Sequence, residues 1–322
     1  MRMRVYRFFK DWSLPITMLT GVLAYMIYVR VPLPAAFRAA VPDVIAVIQP
    51  TLIFLMLFIS FCKVRVTDLR VKRWHLWLLA FQLFALVILS SLLVFSPSMP
   101  HEWSVLVEAA ILCLICPTAT AAAVITAKLG GSASSLISYT MLVNLAVAVA
   151  VPCSLTFIRT AGGGSFMESF MLISGKVFPL LLCPLAFAEI LRYMFPCLHA
   201  LIVERGRNWP FYLWLVALAL AIAVTTRAIA HTTLPLSVLL GIAAVSFICC
   251  IVQFAVGRYV GARYGEMVTG GQALGQKNTV FAIWLAYTFM TPVTAIAGGF
   301  YSLWHNIVNT YQLYRHNHKN NG

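Results

Sequence analysis

Apolar runs of about 20 residues recur from one end of this chain to the other, with only short polar intervals between them. A helix of that length covers roughly 30 Å, the hydrocarbon thickness of a bilayer. Only 10% of the 322 residues are charged, against about 25% in ordinary soluble domains. The longest polar stretches, around residues 63–73 and 204–208, are too short for a soluble domain. The sequence therefore predicts an all-α membrane protein. Residues 1–12 are basic but precede no small-residue cleavage site, so no cleaved leader is expected.

The runs fall at 14–29, 43–62, 74–96, 106–127, 134–158, 167–191, 209–230, 234–257, 266–290 and 292–313, which predicts ten spans. Charge placement agrees with an even number. Seventeen of the 23 lysines and arginines lie on alternate inter-span segments that include both ends of the chain. Four lie on the other set (Arg30, Arg38, Arg159 and Arg227), and Lys176 and Lys277 fall inside spans. Basic residues accumulate on the cytoplasmic side, so both termini are expected there, in a plasma (inner) membrane. The net charge of +14 then marks loop orientation and implies no nucleic-acid partner. The expected partner is the lipid bilayer. Trp12, Trp74, Trp103, Trp209 and Tyr301, near span ends, are expected in interfacial belts.

Ten spans divide into two sets of five, and an odd number per half makes the second half run inverted. The expected division is a first repeat over 1–160, a glycine-rich connection at 161–166, a second repeat over 167–315 and a disordered tail at 316–322. Spans four and nine then occupy equivalent positions, and both are interrupted. The fourth carries Cys116-Pro117-Thr118-Ala119-Thr120-Ala121-Ala122-Ala123 in mid-span, where proline removes a helix donor. The ninth carries Gly270-Gly271-Gln272-Ala273-Leu274-Gly275-Gln276-Lys277-Asn278. Matched interruptions in two halves point to a transporter's binding site near the bilayer midplane. Taken singly, each interruption also fits a kinked or closely packed helix. An ammonium at the depth of Lys277 is costly unless it faces protein, water or a counter-charge, which marks it as a functional candidate.

These motifs resemble the bile acid:sodium symporter family, including its ten-span bacterial members. The ninth-span pattern of that family, roughly E-x-G-x-Q-N, lies over Ala273 to Asn278. The fourth-span pattern, roughly P-G-G-T-x-S-N, lies over Pro117 to Ala123. Trp304-His305-Asn306 matches its W-H-N, Gln82 falls on its third-span glutamine and Thr140 on its fifth-span threonine. The resemblance implies two inverted five-helix repeats with discontinuous helices 4 and 9 crossing near the midplane. It also implies transport of an organic anion, bile-acid-like or a smaller carboxylate, with two sodium ions held by oxygens at these positions.

Most of those oxygens are missing here. Alanine stands at 273, 122 and 123, and Lys277 replaces the glutamine, so only Gln82 and Thr140 remain. A fixed ammonium also repels a cation. Lys277 is therefore expected to replace bound sodium electrostatically, with exposed carbonyls at half-helix C-terminal ends accepting its protons. Gly275, Gln276, Asn278, Thr118, Thr120 and Asn306 complete the expected site. Uniport, exchange and proton coupling all remain open, with Glu108 and Glu189 as relay candidates. So do a non-transporting sensor on the same fold and a sodium symporter with displaced ion sites. Neither a metal motif nor a nucleophile–base pair is recognisable, so no cofactor and no enzymatic activity are expected. The eight cysteines lie in or beside apolar runs, where no disulfide framework is expected.

Overall fold

A computed structural model describes residues 13–65, 67, 69–160, 163–206 and 209–320. Among them the chain is entirely helical apart from loops and one isolated β-bridge. Thirteen helices follow in order: α1 Ser13–Arg30, α2 Ala35–Cys62, α3 Arg73–Phe95, α4 His101–Ile115, α5 Ala122–Lys128, α6 Ala133–Thr160, α7 Phe166–Met194, α8 Pro196–Arg205, α9 Trp209–His231, α10 Leu236–Ala262, α11 Met267–Gly275, α12 Thr279–Phe289 and α13 Pro292–Asn320. Six of them (α2, α3, α6, α7, α9 and α10) are long and apolar enough to cross a membrane.

Polar and apolar residues are distributed as a lipid solvent requires. Large apolar side chains face outward, among them Phe84 on α3, Val149 on α6 and Leu240 on α10. Gln82, Asn144, Gln253, Gln272, Lys277 and Asn309 are buried inside. In hydrocarbon, exposed apolar surface costs nothing and backbone groups must be satisfied within helices. This is the construction of a membrane-embedded, multi-pass protein.

Most helices fall on the apolar runs read from the sequence, with informative differences. The α2 helix starts at Ala35, eight residues before the expected limit, and carries Pro42 and Pro50 within it. The α8 helix lies in a segment expected to be loop; Pro196 at its first position suits a helix start. The α13 helix continues to Asn320, through most of the tail expected to be disordered. His318 on that last stretch donates back to the Tyr314 carbonyl and packs at a tilt against its ring. Two aromatic assignments also change. Trp103 and Trp209 are exposed at helix starts, as a belt residue is, but Trp74 and Tyr301 are buried. Trp74 stacks on Tyr139. Trp12 and residues 161–162 of the expected connection lie outside the described residues.

The α10–α11 hairpin positions the site. It turns at Gly265, whose φ of +71° favours glycine. A Cβ at Gly257 would lie 2.3 Å from the carbonyl oxygen of Gly270, and one at Gly261 2.4 Å from that of Glu266. The glycines of the ninth apolar run thus let two helices touch backbone to backbone. They do not themselves break the helix: Gly270 and Gly271 are helical, and the interruption begins at Gln276.

Candidate functional site: the crossing of two broken helices

Pro117 ends α4. The residue before a proline is driven to extended backbone, and Cys116 adopts it, with φ −66° and ψ 141°. The helix resumes at Ala122 as α5. The second interruption spans Gln276 to Asn278, between α11 and α12. Asn278 restarts the chain as an N-cap, its Oδ1 accepting from the Phe281 amide at 3.1 Å.

The two interruptions cross and pair. Ala119 N donates to Gln276 O at 2.9 Å and Asn278 N donates to Pro117 O at 2.9 Å, forming an antiparallel bridge between Thr118 and Lys277. Four helix ends therefore meet inside the protein, and the C-terminal ends leave carbonyls that must find donors. Side chains supply them. At the end of α4, Gln82 Nε2 donates to the carbonyls of Ile115 (3.3 Å) and Cys116 (3.2 Å). Gln253 Nε2 donates to Cys113 O and the Cys116 thiol to Leu112 O. At the end of α11, Thr118 Oγ1 donates to Ala273 O at 2.6 Å and Tyr301 to Gly275 O at 2.8 Å.

Lys277 is 2% exposed. Its Nζ donates to Gln82 Oε1 at 3.1 Å. Two ion pairs occur among the described residues, Lys72–Glu266 and Glu189–Arg192, and neither involves it. The Gln82 amide thus has its oxygen on the ammonium and its nitrogen on the carbonyl end of α4. The carbonyls were expected to accept from the lysine directly; a glutamine stands between them.

The expected residues divide into two groups. Lys277, Gln276, Asn278, Gly275, Ala273, Pro117, Thr118 and Gln82 meet at the crossing. Ala122 is buried at the start of α5 and Ala123 half-buried beside it. Thr120 joins Gln276, Lys277, Asn278 and His305 around a cavity of about 20 Å³, room for roughly one water molecule. Thr118 spends its hydroxyl proton on the Ala273 carbonyl and is not a free donor for a substrate, whereas Asn278 spends only its Oδ1, as an acceptor, and keeps its amide nitrogen beside the cavity. Thr140 and Asn306 are not in this group. Thr140 Oγ1 donates to Leu136 O and Asn306 Nδ2 to Ser302 O, each one turn back on its own helix. Beside His305, Trp304 Nε1 makes a helix–helix hydrogen bond to Ala243 O at 3.1 Å. His305 Nδ1 and Gln276 Oε1 are buried without a partner, and both residues line that cavity, where water is suited to satisfy them.

The relay candidates are engaged. Glu108 accepts from Thr294 Oγ1 at 2.8 Å, and Glu189 pairs with Arg192 at 2.5 Å on one face of α7. Lys176 is exposed and lies 5.8 Å from the Phe289 ring centroid. Gln253 and Tyr301 were missed as site residues. A glutamine in mid-run, and a tyrosine one turn before His305 on the same helix, were the available signals.

The residues do not fit a sodium ion at the positions the resemblance implies. Ala273, Ala122 and Ala123 carry no side-chain oxygen, and the oxygen of Gln82 is held by the ammonium itself. A cation taking that oxygen would have to displace the Lys277 amine, which lies 3.1 Å from it. No protein-family model matches this chain, and no curated protein matches it.

Proposed function

We propose that this chain is a secondary transporter of an organic anion in which Lys277 takes the electrostatic place of a coupling cation. The observation that carries the reading is an ammonium buried at the meeting of two helix interruptions, with a glutamine amide as its hydrogen-bond partner. Broken helices expose polar backbone inside a membrane protein, where each unsatisfied group costs several kcal/mol. Such a construction is rational where the break must open and re-form around a ligand. Six membrane-capable helices, the charge bias of the loops and the ordered motif resemblance to the bile acid:sodium symporters support it further.

In this reading the thirteen helices make ten spans, with α4–α5 and α11–α12 as the two broken ones and α8 lying outside the spans. The two halves are inverted repeats and both termini face the cytoplasm of a plasma (inner) membrane. The ammonium offsets the negative ends of α4 and α11, so the crossing needs no mobile cation to remain assembled. Transport is then independent of sodium.

Proteoliposomes containing the full chain test this, with uptake of a radiolabelled bile acid and smaller carboxylates measured after sodium is replaced by choline. Sodium-independent uptake, lost in Lys277→Met, is the expected result. Strict sodium dependence overturns the reading, and so does a silent Lys277→Met. Binding without counterflow in the same vesicles points instead to a sensor on this fold.

A further inference from the structure

The cavity beside Lys277 is too small for an organic anion, but a far larger one lies at the other end of α12. Its volume is about 450 Å³. His101 and Val105 of α4, Arg227 and His231 of α9, Tyr287 of α12 and Val293 of α13 contribute to its wall. Helix ends of both polarities open there, so any fixed charge has to come from side chains. Among the described lining residues there is neither aspartate nor glutamate, while Arg227 and two histidines are present. Glu108, on α4 beyond His101, is held by Thr294 and does not line the cavity.

Arg227 is exposed and makes neither a hydrogen bond nor an ion pair among the described residues. Its neighbours are already engaged: His231 Nε2 shares a hydrogen bond with Tyr25 at 3.0 Å, and the Tyr287 hydroxyl donates to Val224 O at 3.3 Å. The guanidinium is left with five donors in a planar fork, a geometry that matches a carboxylate. Val105 and Val293 offer apolar wall beside it.

We infer that this cavity binds a carboxylate carrying a compact apolar group, with Arg227 as the anchor of the carboxylate. The inference rests on the transport reading and deepens it by giving the substrate class and its place. Tyr287 on the cavity wall and Thr279 at the interruption belong to one helix. They are eight residues apart, about 12 Å along the axis. An anion at Arg227 therefore stands at one end of the half-helix whose other end abuts Lys277. The loop-charge bias assigns this end of the molecule to the outer side.

Melting of the full chain in a neutral detergent tests the site, with benzoate, its uncharged counterpart benzamide, and phosphatidylglycerol as probes. A ligand that binds the folded state raises the melting temperature. Benzoate is expected to do so and benzamide not. Arg227→Gln is expected to weaken the benzoate effect by at least about tenfold, with Arg227→Lys in between. An equal benzoate shift in Arg227→Gln overturns the inference. So does a response to phosphatidylglycerol alone, which assigns the cavity to a lipid headgroup. If benzoate fails while sodium-free uptake persists, this inference falls and the transport reading stands. If benzoate binds through Arg227 while uptake requires sodium, the transport reading falls and the site stands.

Discussion

Lys277 and Gln82 are separated by 195 positions in sequence, yet each depends on the other. Removing the glutamine oxygen leaves a buried ammonium without its partner, and removing the glutamine nitrogen uncovers the Ile115 and Cys116 carbonyls at the end of α4. Gln82→Leu is therefore expected to destabilise the protein by about 1–3 kcal/mol, the cost of leaving buried polar groups unpaired. Lys277→Met removes the charge and the need for that oxygen together. The double variant should then lose less than the two single losses added, with a coupling of about 0.5–3 kcal/mol. Denaturation of all four proteins under one set of conditions checks this; simple additivity would separate the two residues energetically. The pair also explains why lysine is tolerated here. Its amine lies close to the carbonyl end of a helix, where a positive charge is favoured, with an amide dipole aligned between them.

Among the elements, the α10–α11 hairpin decides where the second interruption sits. Gly257 and Gly270 face each other so closely that neither has space for a side chain. Gly257→Val is expected to force the two helices apart and lower stability by about 1–3 kcal/mol, the usual cost of overpacking. Because α11 carries Ala273 and Gly275, whose carbonyls meet Thr118 and Tyr301, a shift of α11 also disturbs the crossing. Comparing the melting temperature of Gly257→Val with that of Gly175→Val is the check. Nothing lies within 4 Å of a Cβ built at Gly175, so that substitution should be much milder, and equal losses would refute the packing argument.

Across the whole molecule, the start of α11 is tied to two other helices by a polar cluster. Lys72, at the N-cap of α3, pairs with Glu266 at 2.5 Å. Glu266 also accepts from Thr269 at 2.6 Å, and Thr269 in turn accepts from the amide of Ser132, just before α6. Burial alone pushes the Glu266 carboxyl upward, but its hydrogen bonds to Lys72 and Thr269 together with the Lys72 charge hold it below the ordinary carboxylate value. A depressed folded value means that the unfolded chain takes up the proton first. The pair thus contributes its full stability above the ordinary carboxylate range and loses it as pH falls through the folded value. The contribution is about 1 kcal/mol or less, because the lysine is half-exposed to solvent. Melting measured from neutral to acidic pH should show this loss in the wild-type chain. Glu266→Gln should lack that increment, and identical pH profiles would refute the assignment.

The sequence alone was enough for those features whose cause is local. Helix-length apolar runs and the interruptions around Pro117 and before Asn278 depend on residues a few positions apart. Contacts between distant segments decided the rest. Only the folded chain brings Gln82 to Lys277, Thr118 to Ala273 and Tyr301 to Gly275, and turns glycines that read as helix breakers into a packing surface. Local pattern determines where a helix starts and stops. The polar groups a broken helix leaves behind have to be satisfied by whatever the fold brings within about 3 Å, and that depends on how all the helices pack together.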